Sequence, residues 1–219
     1  MFGSSLDSAQ LIQALYETLH MVTMSLIFGT LIGLPLGILL VITRKNGIWE
    51  NPFIYHSINP IINILRSIPF IILLIAIVPL TKLIAGTSIG TTAAIVPLTI
   101  YVAPYLARLI ENSLLEVGDG IIEAAEAMGA TPFQIIRHFL LPESFGSLIL
   151  TITTAIIGLI GATAMAGAVG GGGIGDLALV YGYQRFDNIA ILITVVILVV
   201  LVQIIQPIGN YLARKVRKN

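Results

Sequence analysis

Of 219 residues, 57% are hydrophobic and 10% charged, with 11 basic side chains balancing 11 acidic ones. A soluble domain carries about 25% charged residues, so lipid is the expected solvent, and no basic or acidic excess points to nucleic acid or a polyanion. The absence of cysteine excludes disulfides, thiolate metal sites and cysteine nucleophiles.

The opening decapeptide MFGSSLDSAQ lacks the basic n-region of a cleaved signal peptide, so the first apolar segment is read as retained. A spanning helix needs about 20 mostly apolar residues for a hydrocarbon core about 30 Å thick. Five stretches meet that need, at about residues 19–42, 58–80, 89–107, 145–169 and 189–213. Each is expected to be helical, because an isolated spanning segment must satisfy its own backbone hydrogen bonds. The expectation is an all-α membrane protein, with residues 1–219 forming a single transmembrane domain.

In the first span Ser25, Gly29, Gly33 and Gly37 recur every four residues and share one face. Small residues at that period let helix backbones approach closely, either within the subunit, the commoner use, or between two copies. Pro60, Pro69, Pro79, Pro97 and Pro104 fall in the second and third spans, where each favours a kink or break. The second span also holds Arg66. A central arginine costs about 2.5–3.5 kcal/mol on insertion scales, which makes it a functional candidate. A structural or gating contact is favoured there over direct substrate binding. In the small-residue stretch 158–167 of the fourth span, Thr163 and Met165 are candidates for lining a path, although plain helix packing explains the same composition.

Orientation follows from the basic residues. With the N-terminus outside, Arg44, Lys45, Arg108, Arg137, Arg214, Lys215, Arg217 and Lys218 are cytoplasmic, against Lys82 and Arg185 outside. That imbalance favours N-out, C-in, and places residues 118–142, between spans 3 and 4, in the cytoplasm.

This loop contains EAAEAMGATPFQIIRHFLLP at positions 123–142. Asp119 is expected to cap a helix from about Gly120 to Met128. Gly129 stands where a helix ends in the left-handed conformation. Thr131, Pro132 and Gln134 carry the pattern of a second helix start, with a capping box, and Pro142 is expected to end that helix. An interfacial amphipathic segment is the bland alternative. Such anchors are rich in Lys and Arg, yet Arg137 is the only such residue between Asp119 and Pro142. Docking into a partner's groove is the better reading.

The spacing E-A-A, three residues, G, nine residues, hydrophobic, any, L-P resembles the cytoplasmic coupling loop of permease subunits in bacterial ABC importers, with Phe139 where that pattern usually has Ile. NILRSIPFIILL at 63–74, GTSIG at 86–90, AAIVPLT at 93–99, ENSLLEV at 111–117 and GAVGGGGIG at 167–175 are similar to the permeases of methionine importers. The resemblance implies a multi-pass subunit of the bacterial inner membrane, forming a homodimer above two cytoplasmic ATP-binding subunits and below an extracytoplasmic substrate-binding protein. It implies that Glu123, Ala124, Ala125, Gly129, Leu141 and Pro142 dock the ATPase subunit, with ATP bound there and no cofactor on this chain. Asp176, Tyr181, Tyr183 and Arg185 are candidate contacts to the binding protein on a flexible outer turn.

Residues 170–175 formally fit G-x-G-x-x-G, but a membrane span precedes them and no Gly-Lys-Ser/Thr follows, so nucleotide binding is not expected. His20, His56 and His138 have no metal-ligand spacing. Among function classes, an ATP-coupled importer of a small amino acid, methionine first, leads; a related importer for another small solute is the alternative. A gradient-driven transporter would carry acidic or His residues within its spans, and here only Arg66 and the edge residue His20 are available. A non-transporting scaffold is the third reading.

Overall fold

The computed structural model describes residues 6–217. Residues 1–5, half of the opening decapeptide, and Lys218 of the basic tail lie outside the described residues. Among the described residues ten α-helices follow one another: α1 Ser8–Thr43, α2 Pro52–Ser67, α3 Phe70–Ala76, α4 Val78–Ala85, α5 Thr91–Leu115, α6 Asp119–Ala127, α7 Pro132–Ile135, α8 Leu141–Gly167, α9 Gly173–Leu177 and α10 Asn188–Arg217. Two π-helical stretches, Ile136–Leu140 and Ala178–Gln184, join α7 to α8 and extend α9.

Among the described residues four helical runs are long and apolar enough to cross a membrane: Ser8–Thr43, Thr91–Leu115, Pro132–Gly167 and Asn188–Arg217. The remaining expected span, the second, is not a straight helix. It breaks at Ile68–Pro69, where α2 and α3 meet at 103°. Pro69 lacks the amide hydrogen that would continue α2 and disfavours helical backbone in the residue before it. Pro79 lies in the first turn of α4, where a missing donor is harmless. Pro60, Pro97 and Pro104, expected to interrupt their spans, lie inside helices that run on through them.

Helix α5 is the axis of the bundle, packed along α1, α8 and α2. Its Leu98, Val102, Leu106 and Ile110 are buried with Met21 of α1 and Leu159 of α8 in the main core. The stripe on α1 explains how tightly α5 approaches. A Cβ on Gly33 would stand 2.7 Å from the Ala103 carbonyl oxygen, and one on Gly37 would stand 2.7 Å from that of Ala107. The small residues of the first span therefore serve contact within the subunit. At the head of the stripe, the Ser25 hydroxyl donates to the Ile95 carbonyl at 3.5 Å.

A polar cluster secures α2 to α5. The Arg108 guanidinium donates to Glu111 at 2.5 Å, to Asn59 at 2.6 Å and to Asn63 at 2.8 Å. Glu111 is buried, and removing its partner would leave an unpaired charge in an apolar setting. In α8, the Thr151 hydroxyl lies 2.8 Å from that of Ser113 and ties α8 to α5.

Candidate coupling elbow, glycine loop and membrane cavity

Between α5 and α8 the chain turns through the two-helix elbow. Gly118, in extended backbone, is the N-cap of α6; Asp119, expected to be the cap, is the first helical residue and makes no capping bond. Its carboxylate still favours that end of the helix dipole. Gly129 has φ 78°, and the Ala130 amide donates to the Ala125 carbonyl at 3.1 Å, closing the helix end. The Thr131 amide donates to the Gln134 side chain at 2.8 Å and the Gln134 amide to the Thr131 hydroxyl at 3.4 Å, so the capping box is present.

The second helix does not end at Pro142. It passes through the π-helical turn Ile136–Leu140 directly into α8, so elbow and span share one helical run, Pro132–Gly167. Pro142 sits in the first turn of α8, just past a π stretch whose hydrogen bonds span one extra residue.

The docking candidates divide by burial. Glu123, Ala124, Gly129 and Pro142 are exposed. Ala125 is fully buried within this subunit, and Leu141 is half-buried against the main core. Two apolar side chains that the motif does not mark, Met128 at 70% and Phe133 at 67% exposure, flank the Gly129 turn. Their signal in the sequence was apolar character beside a glycine break, which a core residue would share.

Beside α6 lies a cleft of about 560 Å³ with walls of opposite charge: Arg44 and Lys45 of the α1–α2 turn face Asp119, Glu123 and Glu126. The base of the elbow is tied on its other side. Arg217, near the end of α10, donates to the Ser147 hydroxyl at 2.8 Å, and that hydroxyl donates to the Glu116 carboxylate. Arg217 also lies over Gly146, where a Cβ would stand 2.7 Å from its Cγ.

At the opposite end of the bundle, the glycine-rich loop is held by α1. Its amides are engaged by the chain itself: Gly173 donates to the Glu17 carboxylate at 2.8 Å and Ile174 to the Thr18 hydroxyl at 2.9 Å. Gly170, Gly172 and Gly173 adopt φ near 80°, a region glycine enters at little cost. Asp176 is half-buried beside Glu17; burial first, then the Glu17 charge, raises its carboxyl pKa above the usual range. The other outer-turn candidates lie nearby. Gln10 donates to the Tyr181 hydroxyl at 2.8 Å, Arg185 stacks on the Tyr181 ring at 4.3 Å, and Tyr183 is exposed. Phe186, unmarked by any sequence pattern, is 84% exposed at φ 56°.

The three path candidates separate. Arg66 and Met165 line one cavity of about 500 Å³ at the α2–α3 bend, with Phe70, Tyr101, Gly158 and Gly161. Thr163 is buried away from it, its hydroxyl donating to the Ile160 carbonyl at 2.8 Å. Among the described residues, no group of three His, Asp or Glu side chains is placed to hold a metal.

The helical bundle threaded on α5 thus carries its elbow directly on a run long and apolar enough to cross a membrane. The family described as binding-protein-dependent transport system inner membrane component matches residues 29–218, and the chain belongs to that family, as a multi-pass inner-membrane protein. Vibrio cholerae has a relative named probable D-methionine transport system permease protein MetI, 51% identical over 212 residues, covering 97% of this chain and 94% of the relative. The D-methionine transport system permease protein MetI of Escherichia coli strain K12 is 52% identical over 157 residues, 72% of each chain. A solved structure described as an inward-facing conformation of the MetNI methionine ABC transporter superposes with a TM-score of 0.94 at 48% identity, over 95% of this chain and 97% of that one. An amino acid ABC transporter at 18% identity and a TM-score of 0.79 shares the fold.

Proposed function

We propose that this chain is the permease subunit of an ATP-driven importer that carries methionine across the inner membrane of a bacterium. The observation that supports it most is likeness over nearly the whole length to permeases named for methionine transport, at 51% identity across 97% of the chain. In this reading two copies form the membrane core, N-terminus out and C-terminus in. The exposed face of the elbow, with Glu123, Ala124, Gly129 and Pro142, docks in a cytoplasmic ATP-binding subunit where the ATP is hydrolysed. Ala125 and Leu141 fix the elbow to its own subunit. Asp176, Tyr181, Tyr183 and Arg185 meet an extracytoplasmic binding protein that delivers the amino acid. A partner shifts two access states only by its differential affinity for them. Continuity from the second elbow helix into α8 gives that difference a rigid route into the membrane.

Proteoliposomes holding this chain, its ATPase subunit and its binding protein should accumulate methionine on addition of ATP. An intact complex that imports no methionine, or only another solute, would overturn the substrate. The docking part is tested apart from transport: Glu123→Lys or Gly129→Pro should release the ATPase subunit on co-purification, and full recovery of both subunits would refute it.

A further inference from the structure

We propose that one ordered water molecule is bound between α4 and α5, held by the Thr81 hydroxyl and by the Ala93 carbonyl that Pro97 leaves without its helical amide. The site lies within one subunit and is independent of the solute the chain carries.

Thr81 is the buried residue of α4, while Leu80, Leu83 and Ile84 around it are exposed. It is 3% exposed, and its Oγ1 is sealed from solvent with no hydrogen-bond partner among the described residues. Other helical threonines of this chain behave differently. A threonine in a helix can donate to the carbonyl four residues back, as Thr18 does to Ala14, Thr43 to Leu39, Thr153 to Ile149 and Thr194 to Ala190. Thr81 has the Ile77 carbonyl in the same relation, yet only its amide bonds there, at 2.8 Å. Buried polar groups are nearly always paired, either with protein or with ordered water. The hydroxyl therefore needs a partner from outside the chain.

Space for that partner lies between the two helices. Thr81 and Ala93 both line a cavity of about 20 Å³, walled by Leu74, Val78, Pro97 and Gly171. A water molecule needs about 10–15 Å³ of such space and at least two polar partners, so the cavity suits one water and no larger solute. Pro97 is buried inside α5. It has no amide hydrogen, so the Ala93 carbonyl, four residues before it, loses its ordinary helical donor. An acceptor without that donor and a hydroxyl without a partner thus border one water-sized space from two helices. The water accepts a hydrogen bond from Thr81 and donates one to the Ala93 carbonyl, leaving its second hydrogen for Ser88 at the exposed rim. The consequence is mechanical. The Gly90 amide donates to the Gly170 carbonyl at 2.8 Å, so the head of α5 is already tied to the glycine-rich loop. The water extends that tie to α4.

A density map of the wild-type protein that shows ordered waters should carry a peak about 2.7–3.2 Å from both Thr81 Oγ1 and the Ala93 carbonyl oxygen. Thr81→Val should lose that peak. A direct bond from the hydroxyl to the carbonyl, or no peak in the wild-type cavity, would overturn the site. Thermal unfolding in detergent gives a second readout. Thr81→Val is close in shape but lacks the hydroxyl, and should lower the Tm by about 2–8 °C; Thr81→Ser, which keeps the hydroxyl, should lose less. Pro97→Ala restores an amide for the Ala93 carbonyl, so Thr81→Val should cost less in that background than alone. Losses that simply add across the two positions would show that no shared water couples them. A Thr81→Val protein as stable as its parent would overturn the proposal too. Should Pro97→Ala fail to fold, the wild-type peak and the two Thr81 variants still decide it.

Discussion

The carboxylate of Glu17 accepts a hydrogen bond from the Gly173 amide at 2.8 Å, joining the first long helix to a loop 156 positions further along the chain. Thr18 beside it accepts the next amide, from Ile174, at 2.9 Å. Together they occupy the donors that a G-x-G-x-x-G loop would otherwise turn towards a phosphate. Glu17→Ala leaves the Gly173 amide without its acceptor, at an expected cost of about 1–3 kcal/mol. Thermal unfolding in detergent should show a lower Tm for Glu17→Ala, with a smaller loss for Glu17→Gln. An unchanged Tm in Glu17→Ala would mean that the loop is held by other contacts.

Asp176 adds a pH dependence at the same end of the bundle. Burial and the Glu17 charge raise its folded-state pKa above the unfolded value. Stability from this group is therefore fully present below the ordinary Asp pKa of about 3.9. It is lost as pH rises through the raised folded value, because the native state then binds more protons than the unfolded one. Asp176→Asn should remove that component and give a higher Tm than the parent at neutral pH. Parallel Tm-versus-pH curves for the two proteins across the mildly acidic range would refute it.

The α1–α5 contact predicts that even one added methyl group is felt. At Gly33 a Cβ would lie 2.7 Å from the Ala103 carbonyl oxygen and 2.9 Å from Leu106 Cβ. Gly33→Ala should therefore destabilise by about 1–3 kcal/mol, the usual range for overpacking. Gly161→Ala, with open space around it, should leave the fold intact. Equal thermal shifts for the two variants would contradict the packing described.

In the elbow, two alanines next to each other should fail in different ways. Ala125 is fully buried in its own subunit, so Ala125→Leu should lower the Tm of the isolated permease. Ala124 is exposed, so Ala124→Leu should spare that Tm and weaken recovery of the ATPase subunit. Phe133→Ser should resemble Ala124→Leu, because a 67% exposed aromatic contributes little until a partner covers it. Co-purification and thermal unfolding, measured side by side, separate the two classes.

Composition and apolar run length were enough to expect a membrane helix bundle, because a 20-residue apolar helix has few alternatives in lipid. Gly129, Thr131 and Gln134 were legible as a helix stop and restart, since each acts through local backbone chemistry. The break in the second span was less so. Five prolines carried the same kink signal, and only at Pro69 does the helix axis turn by 103°. Pro97 and Pro104 are buried inside α5, Pro60 lies on an exposed position of α2 and Pro79 in a first turn, and no local rule tells these cases apart. The elbow motif likewise could not reveal that Ala125 faces inward while Ala124 faces out. Adjacent helix positions differ by 100°, but the direction of the core is set by the rest of the bundle. Arg66 and Met165 stand about 100 positions apart in the chain, and no spacing rule links them.

The Arg217–Ser147–Glu116 tie joins the elbow's two stems to the least buried of the long helices, α10, whose most apolar window is only 11% buried. On the docking proposed above, work delivered at the elbow would also move α10 against whatever surrounds it, making bilayer elasticity part of the load. Turnover should slow in thicker, stiffer vesicles, and Arg217→Ala should lessen that sensitivity by letting the last helix slip.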